Sequence, residues 1–109
     1  MSSMHIVILV TAKDKEEARR IARHVLAHKL AACVNISAGV ESFFWWENKI
    51  DTASEALLII KSRKDLFKKI VAAVRAVHSY SVPEIIALPI VAGHKDYLKW
   101  ISDSVCEKS

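Results

Sequence analysis

Val40-Glu41-Ser42-Phe43-Phe44-Trp45-Trp46-Glu47-Asn48-Lys49-Ile50 is the stretch whose reading decides the fold. Behind it, Ala31 to Trp46 reads as one long strand, with an interruption expected near Ala38-Gly39. Glu47-Asn48 makes the turn, because Asn tolerates positive φ better than most residues. Ile50 to Lys61 is the returning strand and ends in the apolar run Leu57 to Ile60. Each arm of this hairpin is about twice the usual strand length of roughly 5–6 residues.

Working outward toward the N-terminus, Met4 to Thr11 is a β-branched run that reads as a strand buried on both faces. Asp14 followed by Glu17 has the form of a capping box. Ala18, Ile21, Ala22, Val25 and Leu26 then recur at helical spacing, and Lys29 suits the negative end of the helix dipole. Toward the C-terminus, Ser62 with Asp65 is expected to cap a second helix, whose apolar positions are Leu66, Phe67, Ile70, Val71, Val74 and Val77. Val82 to Val91 reads as a fourth strand, and Pro89 inside it points to an edge or a bulge. Tyr97, Leu98, Ile101 and Val105 mark a short final helix. The order strand-helix-strand, strand-helix-strand is the split βαβ, ferredoxin-like α/β (α+β) sandwich, with an antiparallel sheet and both main helices on one face. The 109 residues are expected to form one domain, 1–109.

The hairpin is too long for such a sheet. Alternation sends two of Phe43, Phe44, Trp45 and Trp46 to each face, and helices on one side of the sheet cannot reach the tip. Either the tip folds back on its own body, or it belongs to an association surface.

Composition narrows the classes. Hydrophobic residues make up 52% of the chain, enough for a core without staples. Two glycines and two prolines leave no linker-like or low-complexity stretch. The N-terminal apolar run Ile6–Val10 has no basic leader and is too short to span a bilayer, so a soluble cytoplasmic protein without membrane partners is expected. Cys33 and Cys106 read as reduced thiols, Cys33 as a small core residue and Cys106 as exposed. The net charge of +4 is spread over two helices and diluted by Asp14, Glu16, Glu17 and Asp65, which reads as a solvated face and not as a nucleic-acid patch.

Five blocks, in order, carry a family resemblance: Lys29-Leu30-Ala31-Ala32-Cys33-Val34-Asn35-Ile36, Trp46-Glu47-Asn48-Lys49-Ile50, Ile60-Lys61-Ser62, His78-Ser79-Tyr80-Ser81-Val82-Pro83-Glu84-Ile85-Ile86 and Tyr97-Leu98-Lys99-Trp100. Over about residues 5–101 the chain resembles the CutA divalent-cation tolerance family. Asn48 stands where Gly is usual at the hairpin tip of that family. The resemblance implies a homotrimer in which long hairpins exchange edge pairing between subunits. It implies a role in tolerance of divalent cations such as copper, and no enzymatic activity. Phe43, Phe44, Trp45 and Trp46 would then lie in the trimer interface. The metal positions sometimes assigned in the family fall here on Val10, Val77 and His78, and only His78 can ligate. The implied copper site is therefore weak and incomplete, with Glu84 as a second ligand at most.

Beside the resemblance, His78, Tyr80 and Glu84 crowd around Pro83 after the second helix. They fit an intersubunit cleft for a cation or small ligand, or a structural turn in which His78 serves the helix end and Tyr80 bonds the backbone. Lys61 ends a buried strand and either faces that cleft or snorkels. His24 and His28 are spaced i, i+4, which suits a metal, but no third ligand is near in sequence, so solvated helix residues are expected. No required cofactor is expected. Nothing supports a catalytic nucleophile with its base. A PII-like small-molecule or nucleotide sensor trimer is the alternative. An RNA-recognition module ranks last, because Ala56-Leu57-Leu58-Ile59-Ile60-Lys61 carries no stacking aromatics.

Overall fold

Alternation along the first strand shows which face of the sheet is closed. In β1 (His5–Ala12), Ile6, Ile8, Val10 and Ala12 are buried, while His5, Val7, Leu9 and Thr11 are only half-buried. The expectation of burial on both faces is therefore corrected: one face packs against helices and the other stays partly open. The computed structural model describes residues 4–105. After β1 come α1 (Lys15–Ala27), β2 (Cys33–Trp46), β3 (Lys49–Arg63), a 3-10 turn (Lys64–Leu66), α2 (Phe67–Val77), β4 (Ile85–Pro89) and α3 (Lys95–Ser104). Cys106 lies outside the described residues.

The sheet order is β2-β3-β1-β4, antiparallel throughout. α1 and α2 pack on the closed face, where Ile21, Val25, Ile70 and Val74 meet Ile8, Val10, Leu58 and Ile60 in one core. On the other face α3 covers only one end. His5 Nε2 reaches Ser102 Oγ at 2.8 Å, and Tyr97 lies against Cys33. Away from α3, this face presents Leu9, Ile59, Leu57 and the half-exposed Ile86 and Leu88 without a covering layer. Cys33, expected in the core, is half-buried on this open face. Among the described residues no helix is long and apolar enough to cross a membrane.

Two local expectations change. Ser62 is not a cap: it lies inside β3, fully buried, and its hydroxyl donates to the Leu30 carbonyl at 2.6 Å. Asp65 is held by the Arg63 guanidinium at 2.8 and 3.0 Å, and α2 begins through the 3-10 turn without a side-chain cap. The fourth strand is shorter than Val82–Val91, because β4 pairs only with Ile6–Val10 of β1. Val82 and Val91 are exposed outside the ladder. Pro89 sits at the end of this edge strand, opposite Ile6, where its missing N–H costs least.

The hairpin is as long as its sequence suggests. β3 pairs with β1 only from Ala56 to Arg63, whereas its pairing with β2 continues to Lys49. The segments 40–46 and 49–55 thus project as a two-stranded ribbon, and with it the longest extent of the molecule is 44 Å. Glu47 and Asn48 both have positive φ, 50° and 64°, the signature of a type I′ turn that matches the strand twist. The expected interruption is a bulge: β2 gains one residue on β3 between Ser37 and Val40, and Gly39 takes φ 73°. A Cβ at Gly39 would meet nothing within 4 Å, so only backbone strain opposes a side chain there. Gly39→Ala should therefore cost about 1–2 kcal/mol, read as a lower denaturant midpoint with an unchanged slope.

Candidate functional site

The polar residues of the described chain converge where β1 hands over to α1. Asp14, the N-cap, accepts the Glu17 N–H at 2.8 Å. Glu17 is fully buried. Its Oε1 accepts the Lys13 N–H at 3.0 Å, and its Oε2 accepts the Ser79 N–H at 2.7 Å. One carboxylate thus closes the start of α1 and ties down the loop that follows α2. Burial pushes the Glu17 carboxyl up, but the bonds from Lys13 and Ser79 outweigh it, so the group lies below the usual carboxylate range.

His78 stands beside this carboxylate, its Nδ1 at 4.0 Å from Glu17 Oε1, with its side chain wholly buried. Nε2 is 2.8 Å from the Thr11 carbonyl, and Nδ1 is 3.0 Å from the Tyr80 N–H. A carbonyl can only accept and an amide can only donate, so Nε2 carries the proton and the Nδ1 lone pair is already used. The Tyr80 ring tilts over His78 at 4.8 Å, and its hydroxyl donates to Glu55 Oε2 at 2.7 Å. Burial first, then Glu55, pushes the Tyr80 phenol well above its ordinary range, so it stays a donor. Glu55 itself is nearly buried, at the point where β3 leaves the sheet and becomes the ribbon.

The expected site residues do not all meet. His78 and Tyr80 are adjacent, but as a structural node of the chain, since both ring nitrogens of His78 are occupied. Glu84 is exposed on the loop before β4. Lys61 lies six residues along β3 from Glu55, roughly 20 Å at strand spacing. It faces the open side of the sheet and donates to Asn35 Oδ1. A cleft that unites Lys61 with Tyr80 would need two protomers. Phe43, Phe44, Trp45 and Trp46 all stand exposed on the ribbon, at 68%, 39%, 73% and 61%, so in the single chain the tip does not fold back. Among the described residues no group of three His, Cys, Asp or Glu side chains is placed to hold a metal. The roles of Glu17 and Glu55 were not legible beforehand. Glu17 reads as a cap alone, and Glu55 as an ordinary strand residue; the only hint is a carboxylate next to the apolar run that begins at Ala56.

Fold and node together define a ferredoxin-like α/β sandwich with a hairpin that outruns its sheet and a buried histidine held by the Thr11 carbonyl and the Tyr80 amide beside the carboxylate of Glu17. Residues 6–104 match the family model described as CutA1 divalent ion tolerance protein. The "Divalent-cation tolerance protein CutA" of Archaeoglobus fulgidus is 49% identical over 102 residues, covering 94% of this chain and 99% of that protein. "Protein CutA 1, chloroplastic" of rice is also 49% identical over 102 residues, and there the chain spans 58% of the relative's length. Among solved structures, CutA1 from Oryza sativa superposes with a TM-score of 0.94 at 47% identity, covering 98% of each chain. The divalent cation tolerance protein of Thermus thermophilus gives 0.93 at 40% identity, covering 94% of this chain and all of that one. The chain belongs to the CutA1 divalent ion tolerance family.

The node generates a stability prediction with a definite sign. Because the folded Glu17 pKa is lowered, its contribution is present above the ordinary carboxylate value of 4.5 and is lost as pH falls through the lowered value. Glu17→Gln, which weakens the bonds from Lys13 and Ser79, should cost about 1–3 kcal/mol at pH 7 by chemical denaturation. The deficit should shrink as the pH is taken well below 4.5. A deficit that stays constant down to acid pH would show that the Glu17 charge is not what holds the loop.

Proposed function

We propose that this chain acts as a homotrimeric, non-enzymatic divalent-cation tolerance protein, with the ribbon as its assembly clamp and an intersubunit cleft at the node. The observation that carries the reading is the ribbon itself. Among the described residues, 40–46 and 49–54 have no helix on either face, and the outer edge of β2 is unpaired. The uncovered side of the sheet, with Leu9, Ile59, Ile86 and Leu88, supplies a second apolar surface continuous with it. A cyclic arrangement of copies buries both at once, with each ribbon edge pairing to a neighbour. Relatives of the same fold that carry the divalent-cation tolerance name support the biological role.

The metal part of the reading rests on weaker ground at His78. Copper could bind there, with Glu84, only by displacing the Tyr80 N–H bond or the Thr11 bond, which makes the affinity weak. A PII-like nucleotide site fits less well. The node is lined by the carboxylates Glu17 and Glu55, and Lys61 is held by Asn35 on the open side of the sheet. The cytoplasmic reading is kept as part of the proposal. The unpaired Cys33 supports it, although one solved relative, from Archaeoglobus fulgidus, is described as periplasmic.

Light scattering after size exclusion should give three times the chain mass of 12.2 kDa across dilute concentrations. Trp45 and Trp46 point to opposite faces of the ribbon, so at least one is buried between copies, and truncating that one to Ala should cost about 3–5 kcal/mol. A 12.2 kDa species at micromolar concentration, or two single Ala variants with an unchanged mass and melting temperature, contradicts the clamp.

A further inference from the structure

We propose that His24 and His28 form a two-imidazole site on the outer surface of α1 that takes a borderline divalent cation, Cu(II) above all, with water in the remaining positions. The site goes beyond the assembly reading, because both ligands come from one helix of one chain.

Three features of the geometry carry it. First, the two ring centres are 4.6 Å apart. With metal–nitrogen bonds of about 2.0 Å, two imidazoles in cis positions of a tetragonal site place their ring centres roughly 4.5 Å apart. The helix thus already presents the rings at chelating separation, as i, i+4 spacing allows. Second, the tautomer of His28 is set. Its Nδ1 lies 2.9 Å from the His24 carbonyl, which can only accept, so Nδ1 carries the proton and the exposed Nε2 keeps its lone pair. A backbone acceptor behind the ligating ring is the arrangement that orients metal-bound histidines. Third, the helix dipole favours a cation, against the exposed basic neighbours Arg23 and Lys29. His28 is the C-cap of α1, so the site lies at the negative end of the helix dipole. One turn earlier on the same side, Arg20 is turned toward the buried Glu17, at 3.9 Å.

The contrast with His78 is what the sequence alone does not give. The lack of a third ligand nearby in sequence made His24 and His28 look like solvated helix residues, and the family resemblance made His78 look like the ligand. The structure buries His78 with both nitrogens engaged, and leaves the His24/His28 pair exposed or half-exposed with a free Nε2 on His28. Among the described residues the only ring contact recorded for His24 is with His28.

The test is calorimetric titration of the full chain with Cu(II), together with electron paramagnetic resonance of the complex. Wild type should take one Cu(II) per chain and show coupling to two nitrogens. His24→Ala and His28→Ala should each weaken binding by at least about tenfold, because the second ligand acts intramolecularly. Both positions are at the surface of α1, and a circular-dichroism melt confirms that each variant is folded. The exposed His94→Ala should leave binding unchanged. Saturable Cu(II) binding that both helix variants retain at wild-type strength overturns the proposal, as does a wild-type chain that takes up no Cu(II). Light scattering on the same samples reports the assembly separately, so a failed metal site is not confused with a failed trimer.

Discussion

A two-stranded ribbon cannot hold its own shape in water. It has two faces and two edges, and inside one chain it has one partner strand. Everything unusual in this structure follows from the choice to extend β2 and β3 beyond the sheet by the segments 40–46 and 49–55. The body of the molecule closes in the ordinary way, with β-branched residues of β1 and β3 against Ile21, Val25, Ile70 and Val74. The ribbon has no such layer. Its Phe43, Trp45 and Ile50 are each at least 65% exposed, a state in which isolated hairpins are marginally stable at best. A surface of this kind marks an association site.

The polar node explains how the body holds the root of the ribbon. Glu55 is the residue at which β3 loses β1 as a neighbour, and it is gripped there by the Tyr80 hydroxyl. Tyr80 is in turn fixed through His78 and Ser79 to Thr11 and Glu17. The chain of bonds runs from the first turn of α1, through the loop after α2, to the root of the ribbon. Because its polar groups are partnered, with the side chains of Glu17, Glu55 and His78 buried, the network rigidifies this end of the sheet. The same satisfaction makes His78 a poor metal ligand, whereas the imidazoles at the end of α1 stand at the surface.

The fold was legible in the sequence because its signals are local. Alternation, helical spacing and the Glu47-Asn48 turn each act over a few residues, and even the interruption at Gly39 was visible as a small-residue break. Errors came where a distant partner decides. Ser62 looks like a cap but donates to Leu30, which no local pattern foretells. Val82 to Val91 reads as a strand, yet the ladder stops where β1 has no more residues to offer. At the site, His78 and Tyr80 were rightly placed side by side. Their chemistry was hidden, because it depends on Thr11, Glu17 and Glu55, up to 67 positions away. Lys61 was offered to the same cleft from its place at the end of a buried strand, and within the chain strand geometry separates it from Tyr80.

Amide hydrogen exchange read by mass spectrometry tests the central claim most directly. Among the described residues the outward N–H groups of 40–46 have no partner strand. If ribbons pair and pack between copies, peptides covering 40–46 and 49–55 should exchange as slowly as those of β1, on the timescale of global unfolding. Exchange of these peptides within seconds in the native protein, with β1 still protected, would contradict the account and leave the ribbon as a free arm.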